Sequence, residues 1–503
     1  MNSLTRDLAR LCRARTEEAA RRGHGPWSQR FHLMPEAGWL NDPNGLCQKD
    51  GVFHAYYQNS PFDVDGGLKC WAHATSRDLV TWEPGGVVLV PDTPFDCHGV
   101  YSGSAVVHGG RIHAFYTGNV KREGPGREFD YVLDGRESNT VLVESDDGGA
   151  FGPKRLVMTV DDYPASVTRH VRDPRVLANP GEGGPAFLML LGARAKGADR
   201  DRDRGEVLVY GSDDLVHWAY ANTVASERPL GYMWECPDLL VLGATEATRA
   251  PGFDPAAAPL TVLSVSPQGM EGPAAGANVY PSGHLPFSGS LLGPCSLGEF
   301  TLWDAGFDFY APQTFEAEDG RRILIGWMGM ADCPDHANPT VDHGWQHCFT
   351  LPREVVTDGR TVLQRPVAEL AGFRGPVLEG EGSLRAEGLA AFDLEVSGIR
   401  GPRCAVTLAG GLDVSYDAAA GEVAMAFRDR SRGSMGGGRG ERRAAVPALR
   451  SLRVVGDASS VEVFCNGGEQ VLSTRYYPSS YSVAVEAPGA CARLWPLEVP
   501  LTL

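Results

Sequence analysis

"SRDLVTW" at Ser76–Trp82 and "SDDLVHW" at Ser212–Trp218 share the pattern S-x-D-L-V-x-W across 136 residues. Two stretches this alike in a chain of 503 residues point to an internal repeat, and the nature of that repeat decides the fold. Five further runs resemble one another at intervals of 60 to 75 residues: "GVFHAYYQ" (51–58), "RIHAFYTG" (111–118), "PAFLMLLG" (185–192), "PLTVLSVS" (259–266) and "RRILIGWM" (321–328). Each is short, rich in β-branched and aromatic residues, and set between Gly, Pro, Asn or Asp, the signature of strands between turns. Repeats of this length built from several strands fit the blades of a β-propeller better than the shorter units of a solenoid, and five runs suggest five blades. A large β-sandwich with accidental similarities is the alternative.

The repeats place a five-bladed β-propeller over residues 27–358. After "LPREVV" (351–356) the spacing ends, a linker follows over 359–372, and a strand-rich tail over 373–503 reads as a second all-β domain, a β-sandwich. Ahead of the propeller, residues 1–26 form a helical extension: Leu4, Leu8, Leu11, Cys12 and Ala19 fall near one face, with Ser3 as cap and Gly23 as stop. The expectation is a helix that packs on the domain after it.

A net charge of −17, from 63 acidic and 46 basic residues, gives no electrostatic footprint for nucleic acid. The basic stretch "DRSRGSMGGGRGERR" (429–443) is glycine-rich and reads as a mobile surface loop. Eleven cysteines, an odd number without a CxxC pair, fit neither a disulfide framework nor a zinc site, and point to reduced thiols in a cytoplasmic protein. No apolar run reaches the ~18 residues needed to span a bilayer, and no secretory h-region is seen, so no membrane partner is expected.

Three acidic residues stand beside prolines, each read as following a blade-like strand: Asp42 in "WLNDPNG", Asp173 in "HVRDPRV" and Glu235 in "YMWECPDLL". Two carboxylates are what glycoside hydrolysis requires, one to attack or activate water and one to protonate the leaving oxygen. An apolar shell of Met233, Trp234, Cys236 and Pro237 suits Glu235 to the acid role, while donors from Asn41, Asn44 and turn amides suit Asp42 to the ionised nucleophile. Each motif alone also reads as a structural ion pair or a strand end. Trp39, Trp71, Tyr101, Tyr310 and Trp327 sit beside turn or strand-end signals, where rings serve as sugar platforms or as core.

Together, "WLNDPNG", "YYQNSPF", "YSGSA", "FYTG", "RDP", "ECPD", "DFYAPQTF", "GWM" and "LPRE" resemble, in order and spacing, glycoside hydrolase family 32, the invertases, sucrose-6-phosphate hydrolases and fructanases. The resemblance runs from His32 to Gln364, and "SSVEVFCNGGE" looks like the family's C-terminal β-sandwich. It implies a retaining β-fructofuranosidase acting on sucrose and short fructo-oligosaccharides. Asp42 would be the nucleophile, Glu235 the acid and then base, and Asp173 the holder of the fructosyl hydroxyls with Arg172 beside it. Asn41, Gln58, Trp71, Tyr101, Ser102 and Trp327 match positions lining the fructose site. No metal or organic cofactor is implied. Alternatives within this reading are a sucrose-6-phosphate hydrolase, whose phosphate would call on Arg172, Arg194 or Arg122, and a fructosyltransferase; outside it, a non-catalytic sugar-binding propeller. The chain departs from the family at "KCWAHA", where Cys70 and Ala72 replace a His and a Gly, and matches it less clearly over 269–290 and 332–345.

Overall fold

A computed structural model describes residues 2–181, 183–272, 276, 280–330 and 336–500. Parts of the two less familiar segments, 273–275, 277–279 and 332–335, lie outside the described residues. The chain builds five antiparallel sheets in succession and then a larger ten-stranded one. The inner strands of the five sheets are Gly38–Lys49, Val100–His108, Val167–Ala178, Met233–Leu242 and Tyr310–Glu316. Neighbouring inner strands touch in a closed ring, the fifth returning to the first, so the sheets are the blades of a five-bladed propeller. The five similar runs are the second strands of the five blades. Trp345–Gln346 pairs in parallel with Gly38–Trp39 and ties a late segment onto blade one.

The repeat that opened the sequence is a turn between the third and fourth strands of a blade. Ser76 and Ser212 accept from the amides of Leu79 and Leu215, while Asp78 and Asp214 cap the next two amides. Leu79 and Leu215 sit at φ of 60° and 65°. Blade two carries a third copy, "SDDGGAF" (145–151), with the same Ser and Asp bonds and Gly148 at φ 80°. Glycine at the left-handed position removes the strain and also the Leu-Val pattern, which hid this copy in the sequence.

Each inner strand bears a bulge, two residues against one, at the same level of the ring. Asn41-Asp42 oppose Gln58, Tyr101-Ser102 oppose Thr117, Asp173-Pro174 oppose Leu191, Cys236-Pro237 oppose Val265, and Ala311-Pro312 oppose Gly326. A bulge leaves a residue without its ladder bond, which is where proline, lacking the N–H, is tolerated. Asp173, Cys236 and Ala311 take φ of 61°, 48° and 46°, a costly conformation for residues with a Cβ. Beneath the bulges a belt of buried polar groups joins every neighbouring pair of blades. Asn44 accepts from Gly103 N, Ser104 donates to Pro174 O, Arg175 donates to Asp238, Asp238 accepts from Thr314, and Gln313 accepts from Leu46 N.

The helix Ser3–Arg22 packs on Glu83–Leu89 of blade one, with Cys12 against Cys70 and Val90. Its cap is Asn2, whose side chain accepts from Thr5 N at 2.8 Å, one residue earlier than expected; Gly23 ends it at φ 77°. Leu4 and Leu11 stay about half exposed, so the buried stripe is narrower than the periodicity suggested.

The C-terminal strands hydrogen-bond as one ten-stranded sheet whose long strand, Ser482–Pro496, pairs with Arg403–Leu408 in its first half and Phe392–Ser397 in its second. Val406, Val414 and Met425 from one half share a core with Leu394, Val454 and Leu472 from the other, so the sheet folds over itself as a sandwich. Strand Val362–Pro366, inside the span read as linker, is the outer strand of blade five.

Propeller and sandwich share a buried ionic seam. Arg353 donates to Glu462 and Asp304, and His32 lies between Asp457 and Glu462. Arg439 grips Asp308 with two bonds of 2.7 Å. Arg439 belongs to the basic stretch 429–443, which corrects the mobile-loop reading. Ala337 N donates to Gly437 O and Tyr477 N to Met435 O, and a Cβ at Gly437 would stand 2.0 Å from Ala337 O. Here glycine permits a close backbone contact rather than freedom.

Candidate active site

The bulges lift the inner-strand residues into a cavity of about 680 Å³ at one end of the ring. Asp42, Asp173 and Glu235 arrive from the inner strands of blades one, three and four, not after the blade-like runs as the sequence suggested, and all three line the cavity. Asn41, Gln58, Tyr101, Ser102, Arg172 and Trp327 line it too, with Tyr310 from blade five.

Asp42 is held by a chain of directed bonds. Trp39 Nε1 donates to Asn41 Oδ1 at 2.9 Å, Asn41 Nδ2 to Gln58 Oε1 at 3.4 Å, and Gln58 Nε2 to Ser102 Oγ at 3.0 Å. The Ser102 hydroxyl in turn donates a hydrogen bond to Asp42 Oδ2 at 2.5 Å. Donors therefore come from Ser102 and Asn41, while Asn44, expected to help, serves the belt. Burial raises the Asp42 pKa and the Glu235 charge adds to it, against the lowering by Ser102, Asn41 and Lys69. The expected ease of ionisation is thus corrected: desolvation outweighs the local donors.

Asp173 accepts from Cys236 N at 3.0 Å, and its own N–H donates to Thr117 Oγ1 at 2.9 Å. Burial lifts its pKa to about 7; Arg172 opposes this, and Glu235 and Asp42 add like charge. The Cys236 sulfur lies 4.0 Å from Asp42 Oδ2 and 3.7 Å from Asp173 Oδ2, so two carboxylates meet across one thiol.

Glu235 is clasped on both oxygens, by Arg172 Nη2 on one and the Tyr310 hydroxyl on the other, each at 2.5 Å. The apolar shell read around it lacks Trp234. Trp234, the next residue along the strand, points to the opposite face, donates to Leu230 O and packs with Leu188 and Leu263. Two buried donors on the cavity, Trp327 Nε1 and Arg172 Nε, have no protein partner. Such donors suit substrate hydroxyls.

Trp71 is not brought to the cavity. It is fully buried between Tyr56 and Tyr116 and donates to Tyr101 O, supporting the bulge from behind. The arginines considered for a phosphate are engaged: Arg172 with Glu235, Arg194 with Asp203, Arg122 with Glu137. The sequence reading missed Lys69 and Lys121, which line the cavity. Lys69 lies 5.2 Å from the centre of the Trp39 ring, and burial lowers its pKa to about 8 against the pull of Asp42 and Asp63. Its signal in the sequence is its place in "KCWAHA", next to the departure at Cys70. Tyr310, already among the candidate aromatics, had a second signal, the Ala-Pro pair that repeats the Asp-Pro and Cys-Pro bulges.

Residues 32–366 match the family model for the glycosyl hydrolases family 32 N-terminal domain, and residues 391–490 that for the family's C-terminal part. A sucrose-6-phosphate hydrolase of Bacillus subtilis is 35% identical over 484 residues, covering 92% of each chain. A raffinose invertase of Escherichia coli is 36% identical over 486 residues, with the same coverage. Among solved structures, the sucrose-6-phosphate hydrolase of Lactobacillus gasseri superposes with a TM-score of 0.83 at 26% identity, covering 97% of each chain. A Bombyx mori β-fructofuranosidase, solved as a mutant in complex with sucrose, gives 0.80 at 26% identity and 99% of each chain.

Proposed function

Because this chain belongs to glycosyl hydrolase family 32, we propose that it releases terminal β-D-fructofuranosyl units from sucrose and short fructo-oligosaccharides with retention of configuration. The observation that carries the reading is the meeting of Asp42, Asp173 and Glu235, from three blades, on one cavity. Asp42, fixed by Ser102, attacks the anomeric C2 while the carboxyl of Glu235 gives its proton to the leaving glycosidic oxygen; a fructosyl ester on Asp42 results. Glu235 then takes a proton from water, which attacks C2 and frees Asp42. Arg172 and Tyr310 hold Glu235 in place for both steps. Asp173 accepts fructosyl hydroxyls and stabilises the positive charge that develops on the ring, and Trp327 Nε1 and Arg172 Nε donate to the sugar. The mechanism calls for no metal or organic cofactor.

Lys69 and Lys121 on the cavity wall favour a second reading, sucrose 6-phosphate as substrate, with the phosphate on the lysines. A cytoplasmic location is consistent with ten described cysteines that are all free, and no described helix is long and apolar enough to cross a membrane.

The test is product analysis after incubation with sucrose, sucrose 6-phosphate and short fructo-oligosaccharides, with the anomer of the first fructose formed read by NMR. Release of β-fructofuranose is expected. Asp42→Ala and Glu235→Ala should each lose several orders of magnitude in kcat with an unchanged circular dichroism spectrum. Near wild-type turnover in either variant sinks the assignment.

A further inference from the structure

His170 is a buried titratable side chain that the mechanism above does not use. It stands two residues before Arg172 on the inner strand of blade three, so both side chains take the same face, while Val171 between them enters the apolar core with Phe115 and Met189. His170 Nε2 lies 2.7 Å from Arg172 Nη2, the same nitrogen that reaches Glu235 Oε1 at 2.5 Å. One amino group, with two protons to give, thus spans the imidazole and the carboxyl.

The chemistry of the pair settles the tautomer. A guanidinium only donates, so Nε2 must accept and the ring proton must sit on Nδ1. Nδ1 is buried and has no hydrogen-bond partner among the described residues, so the bond at Nε2 is kept despite an unmet donor on the same ring. Protonation would set a further cation among Arg172, Arg136 and Arg194, and burial together with these three charges holds the His170 pKa well below its ordinary 6.5. The ring is therefore an acceptor without charge. A carboxylate in its place would also hold Arg172, but would draw the guanidinium charge away from Glu235.

We propose that His170 is a positioning residue for the acid and base steps: through Nε2 it fixes the Arg172 guanidinium in the orientation that clasps Glu235 and leaves the charge of that guanidinium undivided. His170 is not on the cavity wall, so it acts through Arg172. The proposal rests on the β-fructofuranosidase reading, with Glu235 as acid and base.

Three substitutions in the full-length protein separate the terms. His170→Gln carries an uncharged acceptor at similar reach, His170→Glu a charged one, and His170→Leu none. Each is assayed for kcat/KM on sucrose and on 4-nitrophenyl β-D-fructofuranoside, whose leaving group departs without a proton, with folding checked by thermal melts. His170→Leu and His170→Glu should lose about 10- to 100-fold on sucrose, as for a lost charge-assisted bond, and less than about threefold on the aryl fructoside, while His170→Gln stays within about threefold of wild type on both. Wild-type kcat/KM on sucrose in His170→Leu, a His170→Gln variant as impaired as His170→Leu, or equal losses on both substrates overturns the proposal. Should His170→Leu not fold, the contrast between His170→Gln and His170→Glu decides, and equal rates on sucrose in those two overturn it. Absence of fructose release from sucrose by the wild-type protein overturns the underlying reading instead.

Discussion

Asp173→Asn is expected to make the protein inactive and, above neutral pH, more stable. Asp173 is 6% exposed, and its pKa rises from an ordinary 3.8 to about 7, chiefly through burial. A carboxyl whose pKa is higher folded than unfolded contributes stability that is whole below the unfolded value and is lost as pH rises through the folded one. The window here is about pH 4 to 7. At about 1.4 kcal/mol for each pH unit of displacement, the ionised side chain costs the fold about 4 kcal/mol above that window. Asparagine keeps an oxygen for the Cys236 amide and removes the charge, so most of that cost should be recovered. For a chain of this length, unfolding entropy of about 2.1 cal/mol/K per residue converts the gain to about 1 °C per kcal/mol. Thermal melts of wild type and Asp173→Asn from pH 4 to pH 8 should therefore diverge with rising pH, from near coincidence to a gap of about 4 °C, while sucrose cleavage falls by orders of magnitude. A variant that melts lower at every pH, or by a pH-independent amount, would refute the claim that the site holds this carboxylate against desolvation.

Ser102→Ala removes the bond that lowers the Asp42 pKa most, so the acid limb of the kcat/KM profile should move to higher pH, because Asp42 must be ionised to attack. The lost charge-assisted bond should also cost kcat about 10- to 100-fold, and an unmoved acid limb would show that another group controls it. Arg439→Met leaves Asp308 buried and unpaired at the propeller–sandwich seam, which should lower stability by about 3–5 kcal/mol in denaturant melts. An unchanged midpoint would mean the seam does not depend on this pair.

What could be read in advance follows physical lines. The blades were legible because the second strand of each is buried on both faces and repeats as an apolar run, as "RIHAFYTG" and "PAFLMLLG" do. The three carboxylates were legible because bulges on the inner strands draw proline to their side, and proline is visible in sequence. The bonds among Trp39, Asn41, Gln58 and Ser102 were not, since they join residues from two blades and each has its own local explanation. Trp71 was misplaced because one position along a strand reverses the face a side chain takes. Arg122 and Arg194 were weighed by charge alone, and their acidic partners, Glu137 and Asp203, became apparent only in three dimensions. Residues 429–443 were misread because glycine content signals mobility only where nothing packs against it.

The polar belt under the bulges has a consequence for how the blades are ordered. Its five junctions use four kinds of chemistry: a carboxamide oxygen accepting from a backbone N–H at the first and the fifth, and between them a hydroxyl on a carbonyl, a guanidinium on a carboxylate, and that carboxylate on a threonine. Blades that look alike in their strands are therefore not interchangeable at their edges. Exchanging blade three with blade two would separate Arg175 from Asp238 and strand both charges in the closed interior. The belt works as an address written once around the ring, specifying which neighbour each blade accepts and disfavouring assemblies in which the blades stand in another order.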